Sequence, residues 1–340
     1  MGIQKVIGLT AGAAGIAAVC CVFASVASTN HADGRLIRLA HNQQDGTEIA
    51  DSIAEFETFV EEEDPSENLS VKIYPSGILG SENEEIEMVK AGILDMAKVS
   101  SNTLGQFDDR YSIFAIPYLF QSQEHYYDAM ENSKAIQDLF NATADQGFIA
   151  IGYYANGARN FYLKENICVD DPSDLAGKKI RSMPSSTSME MIRLMGGSPV
   201  PMSSSETYTA LQQGVVDGAE NTELALTVNG HEDLVSSYTY TEHQYSPDIY
   251  IISTDTWNTL TKKQQQYLKD CLAKTNDNFK AMYNGMMEDA IEEATEHGVT
   301  VYKDIDKSAF IEAVQPMHEA FAAKGAAYQA LLSDIESCAK

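Results

Sequence analysis

A chain of 340 residues with 44% hydrophobic residues can bury a substantial core, and we expect it to form two domains. Its 50 acidic residues outnumber its 23 basic ones, and the formal net charge of −27 argues against nucleic acid and anionic lipid surfaces as partners. An anionic ligand would have to be held by a few local cations acting against this overall charge.

The N-terminal segment, residues 1–27, is apolar and rich in small residues, which predicts export. Lys5 precedes an uncharged run over residues 6–27, and Ser25 with Ala27 suits a signal-peptidase site. The run also reaches the ~20 residues that a bilayer requires. Two alternatives therefore stay open. The segment is either cleaved, or it anchors the protein as a retained helix or through lipidation at Cys20. We expect an exported protein that is periplasmic or anchored at the cell surface.

The five cysteines show no CxxC or metal-ligand spacing. Two, Cys20 and Cys21, lie in the export segment. For the other three, Cys168, Cys271 and Cys338, one disulfide or three thiols both fit. The sequence also lacks HExxH, GxSxG and phosphate-loop motifs. We therefore expect no metal, no cofactor and no enzyme of these classes.

The first 155 residues alternate predicted strands and helices with short connections, which is typical of a mainly parallel sheet covered on both faces. Asp45 with Glu48, and Ser81 with Glu84, are predicted to form capping boxes at two helix starts. A third helix is predicted from Tyr126 to Leu139. The predicted strands are LIRLA, VKIYP, LDMAKVSS and FIAIGYY.

Polar residues follow two of these strands. His41 and Asn42 come after the first strand, and Ser100 and Ser101 end the third. Ligands of parallel sheets bind beyond the carboxyl ends of the strands. The acids at positions 61–63 and 84–85 are instead predicted to lie on solvated helix faces.

A second set of strands and helices follows residue 156. KKIRSM predicts a strand that ends near Arg181, and Ser203 with Glu206 predicts another capping box before a helix closed by Gly214. VDGAEN then predicts a short strand that ends at Asn221. Arg181 and Asn221 thus lie at the ends of two predicted strands, and this pair of side chains is suited to binding a small anion.

The chain is then predicted to return to the first domain through the strand SPDIYIIS. A long helical pattern runs over residues 256–297, and a helical tail over residues 308–335 contains Pro316, which marks a kink or break. We assign residues 35–156 and 247–286 to a first lobe, and residues 157–246 and 287–340 to a second lobe.

Several blocks follow one another over roughly residues 35–335. They are LAHNQQDG, VKIYPSGILGSENEEIEMVKAG, FAIPYLF, NGARNFY, DLAGKKIRSMPSS, GGSPVPMSS, ETYTALQQGVVDGAEN and IYIIS. In this order and at these spacings, they resemble the DctP-type solute-binding proteins of tripartite ATP-independent periplasmic (TRAP) transporters. The most specific part of the resemblance is ETYTALQQGVVDGAEN taken with KIR.

The family resemblance implies an α/β, two-lobed periplasmic-binding-protein-like fold. Each lobe would have a mainly parallel sheet flanked by helices, and crossing strands and a long helix would join the lobes. It further implies that the lobes close on a small organic acid, which the protein delivers to the membrane permease subunits of the transporter. We expect a monomer.

The resemblance also implies ligand contacts in the second lobe. Arg181 of the KIR motif would pair with the ligand carboxylate, because guanidinium offers two parallel donors and stays charged. Arg159 and Asn221 are predicted as further contacts. Without the resemblance, Arg159 could instead form a structural pair with an acid such as Asp170 or Asp171, and Asn221 could form a turn.

In the first lobe, His41, Asn42 and the run at 100–102, including Ser101, are predicted to contact the distal end of the ligand. A structural loop role for His41 is an equal alternative. Ser203 and Ser204 replace an aromatic residue that several family members carry, which favours a hydroxylated sugar acid over a simple dicarboxylate. We therefore predict Ser204 as a contact, whereas Glu206 is explained as a helix cap.

Three functions compete at this level. The leading hypothesis is an extracytoplasmic binding protein that captures a carboxylate, such as a uronate, and performs no chemistry. A sensor subunit would use the same lobes to signal to a partner. An enzyme acting on acidic sugars would need a general base or a metal, and only dispersed carboxylates and histidines support it.

Overall fold

A computed structural model describes residues 34–339, and the predicted export segment at residues 1–27 lies outside this range. Two α/β lobes are each built on one sheet. The strands are β1 (Arg35–His41), β2 (Leu69–Tyr74), β3 (Met96–Ser100), β4 (Phe148–Tyr154), β5 (Ala158–Leu163), β6 (Lys179–Ser182), β7 (Ser198–Pro201), β8 (Gly218–Asn221), β9 (Ser237–Tyr245), β10 (Asp248–Ser253) and β11 (Thr300–Tyr302).

The helices cover the faces of these sheets. They are α1 (Glu48–Glu62), α2 (Glu82–Lys90), α3 (Ser101–Leu104), α4 (Gln123–Asn132), α5 (Lys134–Asn141), α6 (Ser186–Leu194), α7 (Ser204–Gln213), α8 (Glu223–Val228), α9 (Thr254–Thr259), α10 (Lys262–Glu296), α11 (Ser308–Ala322) and α12 (Ala326–Glu336). Short 3-10 turns include Asp109–Ala115, Pro172–Leu175 and His231–Asp233.

The two sheets share one design. The first has the order β2-β1-β3-β10-β4, in which β10 is antiparallel to β3 and β4. The second has the order β11-β9-β5-β8-β6-β7, in which β5 is antiparallel to β8 and β9. Each lobe thus has the predicted mainly parallel sheet flanked by helices, with one reversed strand among the strands described.

Two predicted capping boxes are confirmed. Glu84 accepts the backbone N–H of Ser81 at 2.7 Å and starts α2, while Glu206 accepts the backbone N–H of Ser203 at 2.9 Å and starts α7. In each box the serine side chain in turn accepts the backbone N–H of the glutamate. Two backbone N–H groups that would otherwise be free at the helix start are therefore satisfied.

The capping box predicted from Asp45 and Glu48 is wrong. Thr47 is the cap of α1, because its Oγ1 accepts the backbone N–H of Ala50 at 3.3 Å. Other caps divide helices that the hydrophobic pattern predicts as continuous. Ser133 separates α4 from α5, and Thr261 separates α9 from α10.

The strands cross between the lobes twice, at residues 155–157 between β4 and β5 and at residues 246–247 between β9 and β10. Gly157 lies in the first crossing, where an added Cβ would come within 1.5 Å of the Tyr283 hydroxyl on α10. A glycine is therefore required for the crossing to pass so close to this helix. Asn276 of α10 accepts the backbone N–H of Ala155 at 2.8 Å.

The long helix α10 joins the two lobes along one side. Its 35 residues extend over about 52 Å, and it packs against α1 of the first lobe and α8 of the second. One hydrophobic cluster also continues between the lobes, and it includes Val99 and Ile249 of the first sheet with Phe161 and Ile180 of the second. The lobes are therefore joined by shared core as well as by the crossing strands.

The C-terminal helices separate onto different lobes. α11 packs on α6, whereas α12 returns to α5 of the first lobe. Asp334 of α12 accepts hydrogen bonds from the Ser133 hydroxyl at 2.6 Å and the Ala135 backbone N–H at 3.0 Å. The assignment of residues 287–340 to the second lobe is thus wrong for α12. The chain turns at Gly325, whose φ of +133° favours glycine.

The structure also bears on the cysteines and on helices that could span a membrane. Cys168 and Cys271 are free thiols in the structure. Within residues 34–339, no helix combines the length and the apolar character needed to cross a bilayer.

Candidate functional site

A cleft of about 710 Å³ is lined by residues of both lobes. Its volume lies in the range of roughly 300–1,000 Å³ that is typical of small-molecule sites. Five of the seven predicted contacts line it, namely Asn42, Arg159, Arg181, Ser204 and Asn221.

Strand pairing brings three of these side chains to one edge of the second sheet. Arg181 on β6 lies opposite Ala219 on β8, and Asn221 on β8 lies opposite Asn160 on β5. Because β5 is antiparallel, its first residues, including Arg159, reach the edge at which β6 and β8 end. The arginines and the amide therefore form one polar wall.

Arg181 is a buried cation without an acidic partner. The side chain donates from Nε and Nη2 to the Met202 carbonyl oxygen at 3.2 and 3.0 Å. Among residues 34–339, no carboxylate oxygen lies within 4.0 Å of its guanidinium and Nη1 has no hydrogen-bond partner. Burial lowers the pKa of Arg181. A charge that is desolvated and incompletely paired favours the binding of an anion.

Arg159, in contrast, is held in a buried ion pair. It donates from Nε and Nη2 to the two carboxylate oxygens of Glu220 at 2.5 and 3.0 Å. Burial alone would raise the pKa of Glu220, but Arg159, together with His243, lowers it to about 2. The structural pair that was the alternative for Arg159 is therefore present, but its acid is Glu220 of the neighbouring strand β8 and not Asp170 or Asp171.

Arg159 also orients Asn221. Its Nη1 donates to Asn221 Oδ1 at 2.7 Å, and the same oxygen accepts the backbone N–H of Thr222 at 3.0 Å. In the described part of the chain, Asn221 Nδ2 has no acceptor. The amide is thus fixed with its donor group available in the cleft.

The N-terminal end of α7 adds hydroxyl groups to the same wall. The Ser203 hydroxyl donates to Glu206 at 2.6 Å and is used by the cap. Ser204 and Ser205 line the cleft, and Tyr208 follows one helical turn after Ser204. The wall therefore carries hydroxyl groups near the arginines and an aromatic ring beyond them.

His231 also lines the cleft, although nothing in its sequence surroundings marks it. Its Nδ1 lies 2.9 Å from the Tyr162 hydroxyl. Burial, assisted by Arg181, lowers the pKa of His231 to about 4. The imidazole is therefore neutral at neutral pH and adds no cation to the wall.

The first-lobe wall begins at the edge of the first sheet. Asp248, the first residue of the reversed strand β10, lies opposite Ser100 at the end of β3. The Lys98 ammonium donates to Asp248, is fully buried, and lies 4.7 Å from the ring centre of Tyr154. The charge of Asp248 is thus matched within the lobe.

Glu82, in the first turn of α2, is the second acid of this wall. Its Oε1 accepts from Asn42 Nδ2 at 3.0 Å and from the backbone N–H of Ser100 at 3.1 Å, while Oε2 accepts from the Thr103 hydroxyl at 2.5 Å. Burial and Asp248 raise the pKa of Glu82, whereas the hydrogen bonds from Thr103 and Ser100, and the charge of Lys98, act in the opposite direction. Sequence patterns gave no signal for Glu82, since acids are common in first helical turns.

Two predicted contacts do not line the cleft. His41 is buried, and its Nδ1 accepts the backbone N–H of Gln43 at 3.2 Å. Burial and Lys98 lower the pKa of His41 to about 3, so this residue is neutral. Ser101 is fully buried at the start of α3, 3.2 Å from the Ser246 hydroxyl. Ser100, its neighbour, is the residue that reaches the cleft.

Glu85 corrects a different prediction. It was expected on a solvated helix face, but it is fully buried on the inner side of α2. Burial raises its pKa to about 8, and Glu82 acts in the same direction. Among residues 34–339, no group of three or more histidine, cysteine or acidic side chains could hold a metal ion.

Two α/β lobes that enclose a polar cleft between crossing strands define a ligand-capturing protein. Residues 39–324 match the family model DctP, described as bacterial extracellular solute-binding protein, family 7. The chain therefore belongs to the DctP family of bacterial extracellular solute-binding proteins.

Individual relatives agree with this assignment. The uncharacterized protein YiiZ of Salmonella typhimurium is 40% identical over 258 residues, which cover 76% of this chain and 79% of that protein. A TRAP periplasmic solute-binding protein of Anaerococcus prevotii, solved with α/β-D-glucuronate, is 31% identical with a TM-score of 0.84, covering 89% of this chain and 97% of that one. A Chromohalobacter salexigens counterpart with bound D-glucuronate is 25% identical with a TM-score of 0.84, covering 89% and 99%. The predicted two-lobed fold and TRAP-type solute binding are thereby confirmed.

Proposed function

We propose that this protein captures a sugar acid with a single carboxylate, of the hexuronate type, and delivers it to a TRAP-type permease. The observation that carries the proposal is the opposite polarity of the two cleft walls. The second-lobe wall offers an unpaired guanidinium, whereas the first-lobe wall offers acids and amides.

The second-lobe wall suits the carboxylate end of such a ligand. Arg181 retains Nη1 and one Nη2 donor, and Asn221 retains its Nδ2 donors. These groups can donate to both oxygens of one carboxylate in a site of low dielectric, where charge-assisted hydrogen bonds are strong. Arg159 would act through Asn221, because most of its donors are used by Glu220.

The first-lobe wall suits hydroxyl groups. Carboxylate and amide oxygens accept hydrogen bonds from hydroxyls, and Glu82, Asn42 and Gln43 line this side of the cleft. Structural relatives solved with glucuronate and galacturonate support a uronate. Other relatives are named for ectoine and for C4-dicarboxylates, so these are the competing ligand classes.

A thermal-shift screen tests the ligand class directly. D-glucuronate or D-galacturonate should raise the melting temperature, whereas glucose, which lacks the carboxylate, should not. Succinate, malate and ectoine should have little effect. The proposal fails if only a C4-dicarboxylate or ectoine stabilises the protein.

Delivery to a permease requires an exported protein that releases its ligand unchanged. We propose that residues 1–27 direct export, after which the chain acts as a monomer in the periplasm or attached to the cell surface. Proton NMR of glucuronate incubated with the protein should show no conversion. Reconstituted uptake by the permease subunits should require the protein, and uptake that proceeds equally without it would contradict this role.

A further inference from the structure

The charged groups of the cleft do not balance within each wall. The arginine and acidic residues that line the described cleft are Arg159 and Arg181 on the second-lobe wall, and Glu82 and Asp248 on the first-lobe wall. Arg159 and Asp248 have partners behind the surface, in Glu220 and Lys98. Arg181 and Glu82 are therefore the cation and the acid left for a ligand to meet. Burial and Asp248 raise the pKa of Glu82, but the Ser100 N–H and the Thr103 hydroxyl both donate to its oxygens and favour the ionised carboxylate.

Glu82 has no cation of its own and is held firmly in place. In the described chain, no basic nitrogen lies within 4.0 Å of its carboxylate, and Lys98 is committed to Asp248. Hydrogen bonds from Asn42, Ser100 and Thr103 reach both of its oxygens. The carboxylate cannot turn away from the cleft without breaking them.

We propose that Glu82 is a specificity-determining residue that excludes dicarboxylates while it accepts a hydroxyl of a monocarboxylic sugar acid. This inference rests on the proposed function. A ligand anchored at Arg181 by one carboxylate places its other end against the first lobe. A hydroxyl there can donate to Glu82, but a second carboxylate meets a fixed like charge with no free cation beside it. Discrimination thus comes from repulsion of the wrong ligand as well as attraction of the right one.

Binding of D-glucarate, a six-carbon acid with a carboxylate at each end, tests this inference by calorimetry. Glu82→Gln keeps the shape of the side chain and removes its charge. We expect glucarate to bind the variant at least about tenfold more tightly than it binds the wild type, because two like charges within a few ångströms repel strongly in a partly desolvated site. Affinity for D-glucuronate should stay the same or fall.

Two sets of control variants separate the effect of the Glu82 charge from that of its side-chain shape and from that of the net charge of the protein. Glu87→Gln removes an exposed charge from the same helix and should leave the glucarate affinity unchanged. The pair Glu82→Asp and Glu82→Asn repeats the charge contrast with a shorter side chain, and only the asparagine variant should gain affinity. This pair keeps the test decisive if Glu82→Gln does not fold.

The outcomes separate the two proposals. If the wild type binds glucuronate and neither neutral variant binds glucarate more tightly, Glu82 is not the excluding residue and only this inference fails. If the wild type binds glucarate but no uronate, the proposed function fails, and the inference fails with it.

Discussion

The two walls of the cleft have the same architecture and opposite charge. In each sheet, parallel strands end at the cleft and one reversed strand begins there, which places Arg159 at the start of β5 and Asp248 at the start of β10. Each of these residues is matched by a partner behind it, Glu220 or Lys98. The difference lies in the second charge of each wall, since Arg181 and Glu82 are unmatched. We expect the matched charges to stabilise the walls, and we propose that the unmatched charges select the ligand.

The matched pair should affect stability most. Arg159→Met leaves the fully buried Glu220 without its cation, and we expect a loss of about 3–5 kcal/mol in the free energy of unfolding. Urea denaturation of the ligand-free protein measures this loss. Arg193→Met, at an exposed pair on α6, serves as the control. A double variant with Glu220→Met should recover part of the loss, and a single variant as stable as the wild type would contradict a structural role for the pair.

The unmatched arginine should affect binding. Arg181→Ala should weaken uronate binding by about 2–5 kcal/mol, because it removes one side of a desolvated charged hydrogen bond. Arg181→Lys should also weaken binding, since an ammonium group cannot form the bidentate pair. Calorimetry measures both effects, with Arg193→Ala as the control. The ligand-free stability should not fall, because the wild-type cation is buried without an acid. Wild-type affinity in Arg181→Ala would remove this residue from the site.

A neutral residue of the first-lobe wall should have a smaller effect on binding. Asn42→Ala removes a hydrogen bond to Glu82 and a cleft-lining amide, and the loss of uronate affinity should be about 1 kcal/mol. Calorimetry checks this change against Asn141→Ala, which removes an exposed amide that does not line the cleft. An effect as large as that of Arg181→Ala would mean that the first lobe dominates affinity.

The helix caps that frame the walls should act on stability alone. Ser203→Ala at α7 and Ser81→Ala at α2 remove the equivalent serine of two capping boxes, one in each lobe. Each should lower the free energy of unfolding by about 1 kcal/mol or less, measured by urea denaturation. Uronate affinity should change little in either variant. A large loss of affinity in Ser203→Ala alone would show that its hydroxyl contacts the ligand.

Sequence reasoning predicted the second-lobe wall better than the first. Arg181 and Asn221 stand at strand ends inside local motifs, so their position at the cleft follows from short segments. The partner of Arg159 could not be predicted, because it depends on the pairing of β5 with β8, about sixty residues apart in the chain.

The first-lobe wall depends on more distant relationships. Glu82 and Glu85 lie three residues apart on one short helix, yet Glu82 lines the cleft and Glu85 is fully buried. Only the orientation of α2 against β3 and β10 decides which acid faces the ligand. His41 and Ser101 show the same limit, because a strand end identifies the region of a site and not which of two adjacent side chains enters it.

The return of α12 to the first lobe has a practical consequence for labelling, immobilising or fusing this protein. β1 and α12 both belong to the first lobe, so a fluorophore, a surface tether or a fusion partner joined next to either would hold the same lobe. The distance between two labels at these positions would change little when the lobes move relative to each other. A label on α7 paired with one on α12 would span the cleft, and the protein could then serve as a sensor that is immobilised by one lobe and read from the other.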